Sequence, residues 1–118
     1  MSQIESIQPT TQQWTTICPL DRILPNTGVC ALVNDRQVAV FRVGEGMDVY
    51  AIDNYDPFSK AYVLSRGIVG DRNGIPKVAS PIYKQNFSLL TGECLDDLTV
   101  KLKNFSVRVV DGQVQVSA

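Results

Sequence analysis

The sequence predicts an all-β domain built as an antiparallel sandwich or barrel. Short runs of β-branched and aromatic residues recur along the chain, and turn-forming clusters separate them about every eight to twelve residues. Apolar residues nowhere repeat at helical spacing over three turns, which argues against an α-helical fold. At 118 residues the chain has the size of one domain, with 44% hydrophobic and 19% charged residues, as in an average globular protein.

The first half of the chain predicts four strands. Residues 1–12 are polar and contain Pro9, and we interpret them as a flexible N-terminal lead-in to a single domain over residues 13–118. The predicted strands cover residues 14–18, 29–33, 38–43 and 49–52. Turn clusters at residues 25–28, 34–37 and 44–48 separate them, so the second and third strands form a hairpin.

The second half predicts a less regular region followed by a closing hairpin. The pattern weakens after Asp53, where a short helix over residues 58–64 fits. Further strands are expected at residues 77–79, 87–90, 93–95, 101–103, 106–110 and 113–116. The pairs Asn73-Gly74 and Asp111-Gly112 are typical of tight hairpin turns.

Charge and composition exclude several classes of function. The formal net charge is −1 and basic residues are scattered, so the chain has no broad attraction to nucleic acid or to anionic membranes. No segment approaches the roughly 20 apolar residues of a membrane span. The polar N-terminus does not resemble a signal peptide, and a cytoplasmic location is expected.

The composition gives little support for a metal-binding site or for a nucleophilic catalytic site. The chain contains no histidine, and its three cysteines lie far apart without the spacing of a zinc site. We expect Cys18, Cys30 and Cys94 to be buried structural thiols. No Ser/His/Asp or Cys/His set can be assembled, so no catalytic residue is expected. The acidic pair Asp96-Asp97 is interpreted as a solvated turn, and Arg66 and Arg72 as surface residues.

Two loop segments carry the most specific pattern. Residues 53–59 read Asp-Asn-Tyr-Asp-Pro-Phe-Ser, and residues 79–84 read Ala-Ser-Pro-Ile-Tyr-Lys. Over roughly residues 14–116 the chain resembles Rieske iron–sulfur domains, which hold a [2Fe–2S] cluster between two such loops with Cys-x-His and Cys-x-x-His. The resemblance places Asp56, Phe58, Ser80 and Tyr83 at the four ligand positions. It also implies a β-sheet base and a smaller loop-bearing subdomain over about residues 53–94.

A narrower resemblance rests on four strings taken together. They are Asp-Pro-Phe-Ser (56–59), Leu-Ser-Arg-Gly-Ile-Val-Gly-Asp (64–71), Ala-Ser-Pro-Ile-Tyr-Lys-Gln (79–85) and Thr-Gly-Glu-Cys-Leu-Asp-Asp (91–97). This combination is similar to the small subunits of bacterial assimilatory NAD(P)H-dependent nitrite reductases. The resemblance implies a large partner subunit that carries FAD, siroheme and a [4Fe–4S] cluster and reduces nitrite to ammonium. It implies no cofactor on the small subunit, which would stabilise or complete its partner.

The residues at the ligand positions agree with a loop pair that holds no cluster. A Rieske centre needs two thiolates and two imidazoles. Phe58 has no donor atom, and oxygen donors bind a sulfide cluster poorly. We expect Phe58 and Tyr83 to stack between the loops, and Asp56 and Ser80 to share a hydrogen bond or to accept bonds from backbone N–H groups.

Two interpretations of these loops stay open at this point. In one the loop tip is closed by its own side chains. In the other it also docks on a partner, since aromatic residues are enriched at interfaces. The candidate docking residues are Tyr55, Phe58, Tyr62, Tyr83 and Lys84. Alternative functions are a stand-alone Rieske-type electron-transfer ferredoxin and a general protein-interaction module.

Overall fold

The computed structural model describes residues 13–118, which contain eleven strands and two short 3-10 helices. The expected lead-in, residues 1–12, lies outside the described residues. No helix within residues 13–118 is long and apolar enough to cross a membrane. The strands are β1 (Thr15–Pro19), β2 (Thr27–Val33), β3 (Arg36–Val43), β4 (Asp48–Asp53), β5 (Tyr55–Asp56), β6 (Ala61–Tyr62), β7 (Ile68–Arg72), β8 (Ile75–Ala79), β9 (Asn86–Ser88), β10 (Asn104–Val110) and β11 (Gln113–Ser117).

Six strands form one antiparallel sheet in the order β1-β11-β10-β4-β3-β2. One hydrophobic cluster draws residues from all six strands, including Ile17 of β1 and Val33 of β2 at the two edges. In a flat sheet these edges would lie about 24 Å apart, given a strand spacing of about 4.8 Å. The sheet therefore curves around this cluster, and the predicted all-β antiparallel barrel is confirmed.

Strand β3, next to the edge strand β2, is buried on both faces. Val38 and Val40 point into the first cluster, whereas Ala39 and Phe41 belong to a second cluster on the other face. This explains why β3 is a continuous apolar run rather than an alternating one. The second cluster lies between the six-stranded sheet and the rest of the chain, and its other members are Ile52, Leu64, Val78, Phe87, Leu89, Cys94 and Leu102.

The remaining strands form two small sheets over the second cluster. Strands β5 and β6 pair with each other, and β7, β8 and β9 form a three-stranded antiparallel sheet. All five lie within the loop-bearing subdomain expected at residues 53–94. We keep those two boundaries as a proposal, because the base and the loop-bearing part share the second cluster.

Close backbone contacts hold the loop-bearing part on the base. A Cβ atom on Gly28 of β2 would lie 2.6 Å from Phe41 Cε1 and 2.8 Å from the carbonyl oxygen of Ser65. A Cβ atom on Gly67 would lie 2.4 Å from the carbonyl oxygen of Ala79. Only glycine fits these places. Gly28 sets how closely the loop-bearing part approaches the base, and Gly67 sets how closely segments within the loop-bearing part pack on each other.

The turns follow the expected chemistry with one difference. Both residues of the Asn73-Gly74 and Asp111-Gly112 turns have positive φ, as tight hairpins require. The hairpin between β2 and β3 is tighter than predicted, because Asn34 and Asp35 alone form its turn, with φ of 50° and 63°. Asparagine and aspartate tolerate this conformation, so the strands extend further than their apolar residues indicate.

Two predictions of local structure are wrong. Residues 58–64 form no helix, since a turn leads into β6 and a 3-10 helix follows at Leu64–Arg66. Residues 101–103 contribute an isolated bridge between Lys101 and Glu93 rather than a strand. Phe87 and Cys94 form an antiparallel bridge at the expected hairpin. Another 3-10 helix, Leu20–Arg22, occupies a segment expected to be a connector.

Truncation of Phe41 tests the second cluster. Phe41 is fully buried, so F41A should lower the free energy of unfolding by about 3–5 kcal/mol through lost burial and the cavity left behind. Urea denaturation measures this value. Leu32 on the neighbouring strand is 68% exposed, and L32A should change the free energy by no more than about 0.5 kcal/mol. Equal effects of the two variants would contradict the assigned core.

Candidate functional site

The two special loops meet at a buried hydrogen bond between Asp56 and Ser80. Both residues are fully buried. The Ser80 hydroxyl donates to Asp56 Oδ2 at 2.5 Å, and the Ser59 hydroxyl donates to the same oxygen at 2.8 Å. The backbone N–H of Phe58 donates to Asp56 Oδ1 at 2.9 Å. The predicted hydrogen bond between the loops is confirmed, and both carboxylate oxygens have donors.

These donors decide the ionisation state of Asp56. Burial by itself would raise the pKa of this carboxyl, because it disfavours the charged form. Hydrogen bonds from Ser80, from Ser59 and from the backbone outweigh burial and hold the pKa below its ordinary value. Asp56 is therefore a carboxylate at neutral pH, and it serves as the acceptor that joins the loops.

The loops share one backbone design. Each begins with a buried polar residue followed by proline, and its side chain accepts the N–H two residues on, from Phe58 to Asp56 and from Ile82 to Ser80 Oγ at 3.4 Å. Each then closes with an N–H to carbonyl bond over four residues. Lys60 donates to Asp56 at 2.7 Å, and Lys84 donates to Ser80 at 3.1 Å. Two matched turns thus stand side by side at the tip.

The aromatic residues of the tip divide into supporting and exposed rings. Phe58 packs on Phe87 of the second cluster, with ring centroids 6.1 Å apart. Tyr55 lies against Tyr62 with centroids 5.0 Å apart, and Tyr62 is 57% exposed. Tyr83 is 61% exposed. The predicted stacking of Phe58 on Tyr83 is wrong, because Phe58 turns inward to the core while Tyr83 faces solvent.

Asn54 anchors the first loop to the base, and sequence reasoning did not single it out. It is 1% exposed. Its Nδ2 donates to Gln37 Oε1 at 3.1 Å, and its Oδ1 accepts the N–H of Ser65 at 2.7 Å. Its backbone bonds Gln37 and Leu64. The only signal in the sequence is a small amide residue placed between a strand and a loop.

Asp96 fixes the base of the second loop. Its Oδ2 accepts the backbone N–H and the side-chain N–H of Asn86 at 2.8 and 2.9 Å, and Arg72 lies 3.1 Å from Oδ1. The Asn86 bonds, followed by Arg72, lower the pKa of Asp96. Asp96 is exposed at a bend, as a solvated turn predicts, but Arg72 is paired with it rather than a lone surface residue. The ion pair is exposed and adds little stability by itself, so the backbone bond is the structural contribution.

The cysteines do not behave as one group. Cys94 is buried in the second cluster and Cys18 is half-buried, but Cys30 is exposed, which corrects the expectation of three buried thiols. Burial raises the pKa of the Cys18 and Cys30 thiols. None of the three stands in the loops at residues 53–59 or 79–84, so none replaces a cluster ligand.

The residues of the tip do not fit a [2Fe–2S] centre. Such a centre of the Rieske type needs two cysteine thiolates and two imidazoles. Asp56 already bonds Ser80, Ser59 and the backbone, and Phe58 is packed on Phe87 without a donor atom. Within the described residues, no group of three His, Cys, Asp or Glu side chains could hold a metal ion. We therefore derive no reaction step through a cluster.

The geometry defines a Rieske-like domain whose cluster loops are closed by side-chain hydrogen bonds. Residues 13–117 match the family of Rieske-like [2Fe-2S] domains. The chain is 49% identical over 104 residues to the NADH nitrite reductase small subunit of Escherichia coli K12, covering 88% of this chain and 96% of that protein. The chain belongs to the nitrite reductase small-subunit family.

Two further relatives place the same domain in different settings. The solution structure of the Escherichia coli protein NirD superimposes with a TM-score of 0.86 at 47% identity, covering 92% of this chain and 98% of that one. A nitrite reductase [NAD(P)H] large subunit of Klebsiella oxytoca is 44% identical over 103 residues. The match covers 87% of this chain but 11% of that protein, so the domain is one part of a long polypeptide there.

Removal of the Ser80 hydroxyl tests the closed tip. S80A takes a donor from a buried carboxylate and should lower the free energy of unfolding by about 1.5–3 kcal/mol. Urea denaturation at pH 7 measures the change. S65A is the matched control, because Ser65 contributes its backbone N–H to Asn54 and alanine keeps that bond. An S80A effect no larger than that of S65A would contradict the proposed role of the hydrogen bond.

The pH dependence of stability tests the ionisation of Asp56. Its pKa is lowered in the folded chain, so its stabilising effect is complete above the unfolded value of about 3.9 and is lost as pH falls through the folded value. D56N should be less stable than the wild type by about 1–3 kcal/mol at pH 7. The difference should shrink as the pH of the urea titration falls below about 4. A difference that stays constant down to pH 3 would refute the assignment.

Proposed function

We propose that this chain is the non-catalytic small subunit of a cytoplasmic NAD(P)H-dependent nitrite reductase and that it binds a separate large subunit. One observation carries the proposal. The same domain occurs at 44% identity inside a polypeptide named as the large subunit in Klebsiella oxytoca. In the Klebsiella oxytoca protein the domain is covalently part of the large subunit. In the present protein, we propose, the domain binds the large subunit through a non-covalent interface.

The covalent arrangement also indicates what the interface must achieve. A tethered domain experiences a high effective concentration of its neighbour, often in the millimolar range for short linkers. A separate subunit has no such help and needs affinity of its own. The contact surface on this chain is therefore expected to include well-placed anchor residues rather than weak scattered contacts.

The proposed role of the chain follows from the cluster ligands, two thiolates and two imidazoles, that its loops lack. The family resemblance assigns FAD, siroheme and the [4Fe–4S] cluster, and with them nitrite reduction, to the large subunit. The closed tip supports a subunit that keeps the Rieske-like shape and contributes binding surface in place of electron transfer. Stabilising or completing the large subunit is the function that this arrangement supports best.

The thiols agree with the proposed location. Cys18, Cys30 and Cys94 are all free, and Cys30 is exposed. Exposed free thiols are typical of proteins in a reducing compartment such as the cytoplasm.

The binding prediction is tested with the full chain and the purified large subunit. We expect a stable complex by size-exclusion chromatography with light scattering, and a change in the rate of nitrite-dependent NAD(P)H oxidation when the chain is added. Absence of both effects would refute the proposal. Binding only to proteins without a role in nitrite reduction would favour a general interaction module instead.

The absence of a cluster is tested by reconstitution with iron and sulfide. The wild-type chain should take up neither in stoichiometric amounts and should show no Rieske-type visible spectrum. The variant D56C/F58H/S80C/Y83H places two thiolates and two imidazoles at the four ligand positions. It is the matched control, because it keeps the rest of both loops and differs only in the side chains that a cluster needs. Two irons and two sulfides per wild-type chain would favour the electron-transfer ferredoxin.

A further inference from the structure

The two lysines that end the tip loops have an unusual backbone conformation. Among residues 13–118, seven residues other than glycine have positive φ, and five of them are asparagine or aspartate, which tolerate it. The other two are Lys60 at 58° and Lys84 at 68°. Lysine is not among the residues that favour this conformation, although Lys84 Nζ donates to the carbonyl oxygen of Pro81 within its own turn at 3.3 Å. Both lysines occupy the last position of the matched turns.

Because the strained backbone conformation occurs at a lysine in both tip turns, we infer that the lysine side chains have a function there. Asparagine or glycine would adopt the same turn at lower conformational cost. Strained backbone tends to occur at sites of binding and switching, where the surrounding structure holds it in place. In both turns a hydrogen bond from the lysine N–H fixes the conformation, to Asp56 in one and to Ser80 in the other.

The exposed charges of the two tip loops have one sign. Within residues 55–62 and 80–85 the charged residues are Asp56, Lys60 and Lys84. Asp56 is fully buried and hydrogen-bonded, whereas both lysines are exposed. The exposed charges of these two loops are thus both positive, on a chain whose formal net charge is −1. On the side facing the β2–β3 hairpin, Tyr62 also lines a pocket with Asp35, Arg36 and Asp53.

Exposed apolar side chains accompany these lysines. Tyr62, Ile82 and Tyr83 are 57%, 45% and 61% exposed. Aromatic side chains supply large contact area with few rotatable bonds and are frequent anchors of interfaces. The rings of Tyr55 and Phe58 lie behind them, against Tyr62 and Phe87 respectively, and act as supports.

We propose that the tip surface, formed by Lys60, Tyr62, Ile82, Tyr83 and Lys84, docks on an acidic-rimmed apolar surface of the large subunit. This inference rests on the proposed function and gives its contact surface and the chemistry of the partner. Tyr62, Ile82 and Tyr83 provide the apolar contact, and the two lysines meet carboxylates at its edge. Opposite charges at an interface rim guide association and select the partner.

The decisive variant is K60N/K84N, which removes both charges and places residues that favour the left-handed conformation. It should unfold at an equal or higher urea concentration than the wild type, since strain is relieved. Its affinity for the large subunit should fall by about fivefold to thirtyfold at low ionic strength. Stability and binding then change independently, so misfolding cannot explain the loss.

Two matched variants complete the design. K60R/K84R keeps the charge and should bind like the wild type. R22Q/K101Q removes two exposed positive charges outside the tip surface and should also bind like the wild type. The Y83A variant removes an apolar contact and should weaken binding at least about tenfold with little change in the urea midpoint.

The salt dependence gives a second readout. Wild-type affinity should fall as ionic strength rises, because exposed charge pairs are screened, and K60N/K84N should show a flatter dependence. Wild-type binding with unchanged affinity of K60N/K84N and Y83A would overturn the inference and place the interface elsewhere on the chain. Failure of the wild type to bind would instead overturn the proposed function itself.

Discussion

A buried carboxylate needs hydrogen-bond donors, and the arrangement of the loop tip follows from supplying them to Asp56. Placing an ionised side chain in a fully buried position is costly unless each oxygen is bonded. Ser59 and the backbone of Phe58 come from the same loop, but Ser80 comes from the other. The requirement of one carboxylate thus fixes the distance between two loops that are 24 residues apart in sequence.

The fold makes this arrangement possible by holding the first loop at its start and the second loop at its end. Asn54 bonds the first loop to Gln37 of the six-stranded sheet, and Asp96 bonds the backbone of Asn86 below the second loop. Strand β3 contributes Phe41 to the cluster under both loops while its other face closes the barrel. Because strand β3 packs against both hydrophobic clusters, it holds the residues under the two loops in a fixed position relative to the six-stranded sheet.

The parts of the structure that depend on local pattern could be predicted from the sequence, and those that depend on distant partners could not. The alternating run of β11 and the Asp111-Gly112 turn are local signals, and both are confirmed. The roles of Asn54 and Asp96 required knowledge of which residues lie beside them in the fold. Phe58 illustrates the same limit, because its place at one of the four ligand positions did not reveal that its ring would pack on Phe87.

Stability and the proposed docking depend on different atoms of the same two turns. The first residue of each turn, Asp56 or Ser80, is buried and joins the loops, whereas the last, Lys60 or Lys84, is exposed and strained. The inward groups replace what a cluster would provide, namely a link between the loops. The lysine side chains do not join the two loops, so a lysine at each strained position requires another reason. The proposed acidic partner surface would supply such a reason, because within the isolated domain the exposed Lys84 ammonium donates only to the carbonyl oxygen of Pro81 in its own turn.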